Sequence, residues 1–234
     1  MKYIHLEIHL IKQYLFSPFS WVIAAIYFFL TSYIFAIGIE QTQAANLNAT
    51  IWWAAFYSLF LIPIHTMNLF QKRGKADFYL LLRTLRFNPY IIFILYFTFI
   101  VSCFLFLNTI IGIQFSFIYH YSSPDTGQIF ASLLALFLLQ SAYIAISLFC
   151  SALLDKSEQA FFCSLAIYFC SWMFFYSTKI FTNTLEPFGI FLTELSLYKH
   201  FFTMLNGYFY LNDLLIPTFY IFLSIFFGGL VLKK

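Results

Sequence analysis

The sequence predicts an all-α, polytopic membrane protein with six transmembrane helices. An N-terminal amphipathic interfacial helix precedes them, and an outer re-entrant or interfacial helical segment precedes the sixth. Of the 234 residues, 62% are hydrophobic and 9% are charged, whereas a soluble domain carries about 25% charged residues. So few charges cannot cover a surface in water, so the solvent of this chain is lipid. The net charge of +3 forms no stripe, and binding to nucleic acid is therefore not supported.

Residues 1–17 are predicted to form the amphipathic helix, which lies in the membrane interface. Its apolar residues recur at helical spacing, and these are Ile4, Ile8, Ile11 and Leu15. Charges occur among its first twelve residues and no clear small-residue cleavage site follows, so it is not a cleavable signal peptide. Ser17-Pro18 ends the helix, because the residue before a proline disfavours the helical region.

Six runs that lack Asp, Glu, Lys and Arg mark the spans, since about 20 predominantly apolar residues cross a bilayer. The predicted spans are residues 19–38, 51–70, 90–113, 128–150, 160–180 and 213–231. Together they form one transmembrane domain over residues 1–234. The sequence shows no internal repeat and no separate soluble domain.

The basic residues predict the orientation of the chain, because Lys and Arg concentrate in cytoplasmic loops. With six spans, both termini share one side. That side receives ten of the twelve basic residues, and the opposite side receives Lys179 and Lys199. We therefore expect a multi-pass protein with both termini in the cytoplasm. The loops around residues 40–50, 114–127 and 181–212 then face outward.

A basic segment, Gln71–Tyr90, separates the second span from the third and holds five of the basic residues. These are Lys72, Arg73, Lys75, Arg83 and Arg86. One interpretation is a topology signal, as in many cytoplasmic loops. The apolar run FYLLL at residues 78–82 is not needed for topology, and it favours a surface on which a partner protein docks.

The outer segment, Phe181–Asn212, is too long for a tight connection, yet two parts of it are apolar and aromatic. Such backbone lies in the interface or re-enters the bilayer shielded by protein. Its polar members and the residue that follows it are Glu186, Glu194, Lys199, His200 and Asp213. As isolated residues they are typical interfacial charges.

Within the spans, polar side chains are scarce. His65 and Gln140 are interpreted as hydrogen-bonding a neighbouring helix, and contact with a substrate is the alternative. The fourth span carries many small residues, which allow close helix approach in lipid. We therefore expect it to be central to packing. No charged residue occurs in the middle of a span, so ion-coupled transport is not indicated.

Catalytic and nucleotide-binding motifs are missing from the sequence. There is no GxxxxGK[ST] loop, no HExxH and no GxSxG, so the chain is not expected to be an enzyme and is expected to hold no cofactor. The four cysteines form no CxxC or zinc spacing. They are expected to be free thiols that pack as small hydrophobes, and no metal site is predicted.

Three stretches resemble one family of transporter subunits. Tyr14–Trp21 reads YLFSPFSW and Met67–Thr84 reads MNLFQKRGKADFYLLLRT. The third pairs Asp125–Ser151 with Leu195–Asp213, the latter reading LSLYKHFFTMLNGYFYLND. Their order and spacing resemble the permease subunits of type-2 ATP-binding-cassette (ABC) exporters. The resemblance is strongest to the short six-helix branch of gliding motility and nitrous-oxide-reductase maturation, and it covers nearly the whole chain.

The resemblance implies a permease subunit of the bacterial cytoplasmic (inner) membrane that works as a dimer with a second permease copy or a similar chain. Cytoplasmic ABC ATPase subunits, with ATP and Mg on the ATPase, would drive it, and residues 71–89 would be the coupling segment. Gly74 would mark the turn into the coupling helix. The apolar face would be Phe78, Tyr79, Leu80, Leu81 and Leu82, and the charged rim would be Lys72, Arg73, Lys75 and Arg83. The resemblance also singles out His200, Gly207 and Asp213 in the outer layer, and Glu194 joins them as a candidate because it is a polar member of the same outer segment.

This sequence departs from the family at the coupling segment. Gln71 and Lys72 stand where the family has two acids, and Tyr79 stands where an acid precedes the leucine run. The change of polarity predicts an ATPase partner with matching acidic groups.

Two alternatives come from other classes of protein. One is a component that moves no solute and transmits force, or assembles, at the membrane, with the outer segment binding an outer-side protein. The other is a haem-handling subunit of cytochrome maturation, for which His120 and His200 are the available outer ligands.

Overall fold

A computed structural model describes residues 18–42, 47–70, 88–121, 125–180 and 186–233. Within these ranges the chain is helical and contains no strand, as the composition predicts. The predicted interfacial helix at residues 1–17 lies outside the described residues. So do residues 71–87, which hold the basic and apolar side chains assigned to coupling.

The described residues form nine helices, which we number in chain order. The long ones are α1 (Pro18–Thr42), α2 (Asn48–Thr66), α3 (Pro89–Tyr121), α4 (Thr126–Leu153), α5 (Ser157–Phe174) and α9 (Leu211–Lys233). The short ones are α6 (Ser177–Ile180), α7 (Glu186–Glu194) and α8 (Leu197–Leu205).

Five helices, α1, α2, α3, α4 and α9, are long and apolar enough to cross a membrane, which fits a membrane-embedded protein. The fifth predicted span, residues 160–180, corresponds to α5, which is not among the five. This helix has 18 residues and begins with the polar turn Ser157-Glu158-Gln159. Its composition alone therefore leaves the predicted count of six unconfirmed.

Helix α4 is the centre of the bundle. It packs against α2, α3, α5, α8 and α9, and 78% of its membrane window is buried, against 17% for α1 and 22% for α9. Its small side chains allow this, because they let neighbouring backbones approach closely. The predicted central role of the fourth span is confirmed.

Helix α2 ends at Thr66, earlier than the predicted residue 70. A serine of α4 forms hydrogen bonds with backbone groups that would otherwise bond within another turn of α2. The Ser151 hydroxyl donates to the Met67 carbonyl at 3.2 Å and accepts from the Phe70 amide at 3.3 Å. The end of a helix needs such partners when it is buried.

Helix α5 likewise stops at Phe174, before the predicted residue 180. A tighter turn follows, in which the Phe175 and Tyr176 amides donate to carbonyls three residues back. The Ser177 hydroxyl then donates to the Phe174 carbonyl at 2.7 Å. The chain thereby turns away from the α5 axis and enters the outer segment.

Candidate functional site

The polar contacts between helices are concentrated in two regions, which lie at opposite ends of the bundle. We call the end where α2 ends and α3 begins the basic end, because residues 71–87 connect these helices there. The outer segment lies at the opposite end. A chain of side-chain amides and hydroxyls connects four helices between them.

The outer segment is fixed to the bundle through α8, whose first turn is capped by Ser196. The Ser196 hydroxyl accepts from the Lys199 amide at 3.2 Å, as serine does at helix N-termini. The same hydroxyl donates to the Ser171 carbonyl of α5 at 2.7 Å. One side chain therefore starts α8 and attaches it to a neighbouring helix.

His200 and Asp213 form a buried contact between α8 and the first turn of α9. His200 Nδ1 lies 2.7 Å from Asp213 Oδ1, and the two side chains are 1% and 3% exposed. His200 Nε2 lies 2.8 Å from the Glu194 carbonyl. The second carboxylate oxygen of Asp213 accepts from the Tyr210 amide at 3.1 Å. All the hydrogen-bonding groups of this pair therefore have partners.

These contacts determine how many hydrogen atoms the ring nitrogens of His200 and the carboxyl group of Asp213 carry together. A carbonyl oxygen only accepts, so Nε2 of His200 carries a hydrogen and donates to Glu194. Nδ1 and Asp213 then share one hydrogen, on the imidazole of an ion pair or on the carboxyl of a neutral pair. Both arrangements have no net charge, which suits a site that excludes water. The space beside the pair is lined mainly by apolar side chains of α4, α8 and α9.

The turn after α8 explains why residue 207 is a glycine. Its φ is +84°, a conformation that glycine adopts without steric cost. A Cβ at this position would lie 3.3 Å from the side chain of Gln128 in α4. The Ser132 hydroxyl, also of α4, contacts the Leu205 carbonyl at 3.2 Å, so the end of α8 is held by the first turns of α4.

Of the four outer residues selected from the sequence, Glu194, His200 and Asp213 meet in one place, and Gly207 lies in the turn after α8, against Gln128. Glu194 contributes its carbonyl to His200, and its half-exposed carboxylate pairs with Lys199. His200, Gly207 and Asp213 fix the path from α8 into α9. Glu186 begins α7. The pairing of His200 with Asp213, as opposed to two separate interfacial charges, could not be inferred from their spacing of 13 residues.

Aromatic side chains join α8 to α2 and α5. The Trp52 indole donates to the Tyr198 hydroxyl at 3.0 Å, and the Trp172 ring centre lies 4.3 Å from that of Tyr198. Burial raises the pKa of the Tyr198 hydroxyl, and the hydrogen bond from Trp52 partly offsets this rise. Tyr and Trp with satisfied polar atoms are typical of positions between an apolar core and water.

At the basic end, both ends of the basic segment attach to the packed bundle. On one side, the buried Phe70 ring stacks on Phe93 at 5.8 Å and lies edge-on to Tyr96 at 4.9 Å. On the other side, the Asn88 side chain accepts from the Tyr90 amide at 3.1 Å and so helps to start α3. The ten residues predicted to form the docking surface, from Lys72 to Arg83, lie outside the described residues.

Helix α9 packs against α3 through two adjacent glycines. A Cβ on Gly228 would lie 2.2 Å from the Phe93 ring, and one on Gly229 would lie 2.2 Å from the Tyr90 ring. No larger side chain fits there without displacement of a ring. The sequence analysis missed this pair, although adjacent glycines in an apolar span are a recognisable signal.

Four helices share a chain of hydrogen bonds in the middle of the bundle. Tyr27 donates to Asn108 at 2.6 Å, and Asn108 donates to Gln140 at 2.7 Å. Gln140 donates to Ser58 at 2.8 Å, and Ser58 donates to the Ala54 carbonyl at 2.7 Å. The prediction that Gln140 bonds a neighbouring helix is confirmed. The sequence analysis missed Asn108, although it is a lone amide in the third span.

The remaining polar residues singled out from the sequence contact other residues of the bundle. The His65 ring lies edge-on to Phe104, with centres 5.8 Å apart. Both ring nitrogens of His200 are occupied, so neither is available to a haem iron in this arrangement. Within the described ranges, no three His, Cys, Asp or Glu side chains come together in a way that could hold a metal ion.

Comparison of the chain with models of known protein families, with curated proteins and with solved structures finds no significant match.

Proposed function

We propose that the protein is the membrane-spanning permease subunit of an ABC transporter of the bacterial inner membrane. In this proposal α5 is also a span, which brings the count to six, both termini are cytoplasmic, and the basic segment docks a cytoplasmic ATPase that binds ATP and Mg. A second permease chain completes the complex.

The observation that carries the proposal is the attachment of the basic segment at both of its ends. Ser151 of α4 bonds the backbone just before the segment and Phe70 is buried against α3, while at the other end the Tyr90 ring faces Gly229 of α9. A force on residues 71–87 would therefore reach α2, α3, α4 and α9 together. A loop that serves only as a topology signal needs no such attachment.

The length of α5 supports its place as a span. Eighteen residues rise about 27 Å, close to the roughly 30 Å of the hydrocarbon core. Glu158 lies in the first turn, where a carboxylate is favoured by the helix dipole and reaches the membrane surface.

The docking surface can be tested by a substitution in the apolar run. Leu81→Asp places a charge in the contact with the ATPase, whereas Leu81→Met keeps its volume and polarity. Co-purified ATPase should fall about tenfold or more with Leu81→Asp, equivalent to a loss of about 1.4 kcal/mol, and should remain with Leu81→Met. The measurement is quantitative mass spectrometry of the complex isolated in mild detergent. Equal recovery of an ATPase with both variants, or none with the unmodified chain, would refute docking.

A second candidate is a complex that transmits force to an outer protein without moving a solute. Exposed apolar side chains on α7, next to the rigid contact of α8 with α9, favour it. These are Phe188, Ile190 and Phe191. In liposomes, ATP hydrolysis with solute movement supports the transporter. Hydrolysis without solute movement, together with an outer protein bound to this surface, supports force transmission.

A further inference from the structure

Two cysteines lie in contact across the turn between α4 and α5. Cys150 Sγ and Cys163 Sγ are 3.8 Å apart, and none of the four cysteines forms a disulfide in the structure. Cys150 is fully buried, whereas Cys163 is half-buried. The two thiols are thus adjacent but differ in their access to a reagent.

We propose that Cys150 and Cys163 are a redox-sensitive dithiol that a hydroperoxide converts into a disulfide between α4 and α5. This site is independent of the proposed transport function. A disulfide requires specific side-chain geometry, and two sulfurs already in contact on packed helices need only a small displacement to reach bonding distance.

The chemistry proceeds in two balanced steps. The more accessible Cys163 sulfur attacks the peroxide, so that an S–O bond forms and the O–O bond breaks. The thiol is oxidised to a sulfenic acid, and the peroxide is reduced to an alcohol, or to water from hydrogen peroxide, which takes the thiol hydrogen. The Cys150 sulfur then attacks the Cys163 sulfur, the S–S bond forms, and the S–O bond breaks with release of water. An accessible thiol beside a resolving cysteine is typical of redox sensors.

The position of the pair gives the disulfide a structural consequence. Cys150 directly precedes Ser151, whose hydroxyl bonds Met67 and Phe70 at the start of the basic segment. A covalent link at Cys150 would fix α5 to α4 one residue away from these bonds. Reduction by thiols would release the link, as expected for disulfides in reducing compartments.

The test uses the full chain in lipid nanodiscs, with Cys103→Ala and Cys170→Ala so that the proposed pair alone remains. The sample is treated with hydrogen peroxide, alkylated and digested with trypsin. Trypsin cuts at Lys156, between the two cysteines, so a disulfide joins peptide 87–156 to peptide 157–179. We expect the joined peptide, with the loss of both alkylation sites, and its disappearance after reduction with dithiothreitol.

A variant in which the cysteine is moved by one residue along α5 provides the matched control. Cys163→Ala with Ser164→Cys moves the sulfur by one residue, to a buried side chain that faces a different direction on α5. The native pair should join at least about tenfold faster than the shifted pair, as oriented groups do. Equal rates, or oxidation of Cys163 without a joined peptide in both the double-alanine chain and the unmodified chain, would overturn the proposal.

Discussion

At the scale of single residues, two glutamines are buried within the described part of the chain, and their situations are opposite. Gln140 takes part in the chain of hydrogen bonds that joins four helices. Gln114 of α3 is also buried, but neither its amide nitrogen nor its amide oxygen has a hydrogen-bond partner in the structure. A buried polar group costs free energy unless it is bonded, so the same residue type should stabilise at one position and destabilise at the other.

The same substitution at both positions tests this difference. Gln114→Leu should raise the free energy of unfolding by about 1–3 kcal/mol, because it removes an unbonded buried amide. Gln140→Leu should lower it by a similar amount, because Asn108 and Ser58 lose their partner. Unfolding of the purified protein in a titration of mixed micelles measures both. A change of the same sign for the two variants would contradict this interpretation.

His200 illustrates what a sequence can and cannot show about a residue. Its place in the outer layer follows from the positions of the spans, and that place alone suggests an interfacial charge or a metal ligand. Its hydrogen bonds to Asp213 and Glu194 depend on the way in which α8 folds back against the start of α9. That fold is set by contacts with α4 and α5, which lie far away in the sequence.

At the scale of helices, the contact between α9 and α3 depends on the absence of side chains at Gly228 and Gly229. The two positions are not equivalent. Phe93 is fully buried and stacked on Phe70, so its ring cannot move aside. Tyr90 is half-buried, so its ring has room to turn.

The loss of stability caused by each alanine substitution should therefore depend on how freely the facing ring can move. Gly228→Ala should lower the free energy of unfolding by about 1–3 kcal/mol through overpacking, and Gly229→Ala should lower it less. Gly38→Ala and Gly112→Ala are matched controls, since a Cβ at either helical position meets nothing within 4 Å. They should be neutral or should stabilise by up to about 1 kcal/mol through helix propensity. Chemical unfolding in detergent measures all four, and an equal loss at Gly112 would contradict the packing argument.

The positions of the helices were predictable, whereas several of their ends were not: α3, for example, continues to Tyr121, past the predicted residue 113. Runs without charge placed six helices, and the small residues of α4 identified the central one. The early end of α2 depends on Ser151, which lies more than 80 residues away in the sequence. The early end of α5 depends on Ser177 and on the outer segment that it contacts. Hydropathy describes the free energy of transferring side chains between water and an apolar phase. It carries no information about hydrogen bonds from distant side chains to helix ends.

At the scale of the whole molecule, the open question in the architecture is whether α5 crosses the membrane. Five helices qualify by length and composition, and an odd number of spans would place the two termini on opposite sides. The distribution of basic residues favours six spans. Lys156, just before α5, and Lys179, just after it, are both exposed and belong to opposite sides in that arrangement.

Cysteine labelling at the two ends of α5 decides between these topologies. In a chain whose four cysteines are replaced by alanine, Lys179→Cys should react with a membrane-impermeant maleimide in intact cells. Lys156→Cys should react after permeabilisation only, because the proposed topology places the basic side in the cytoplasm. Mass-tagged gel shifts measure the labelling. Reaction of both positions from the same side would exclude α5 as a span.

The hydrogen-bonded chain from Tyr27 to Ser58 has a consequence for biosynthesis. Its members enter the membrane in the order α1, α2, α3 and α4, while its donors run from α1 through α3 and α4 to α2. A nascent chain inserted only through α3 leaves the Asn108 amide and the Ser58 hydroxyl without the Gln140 side chain. The hydrogen bonds that join all four helices therefore form only when α4 arrives with Gln140.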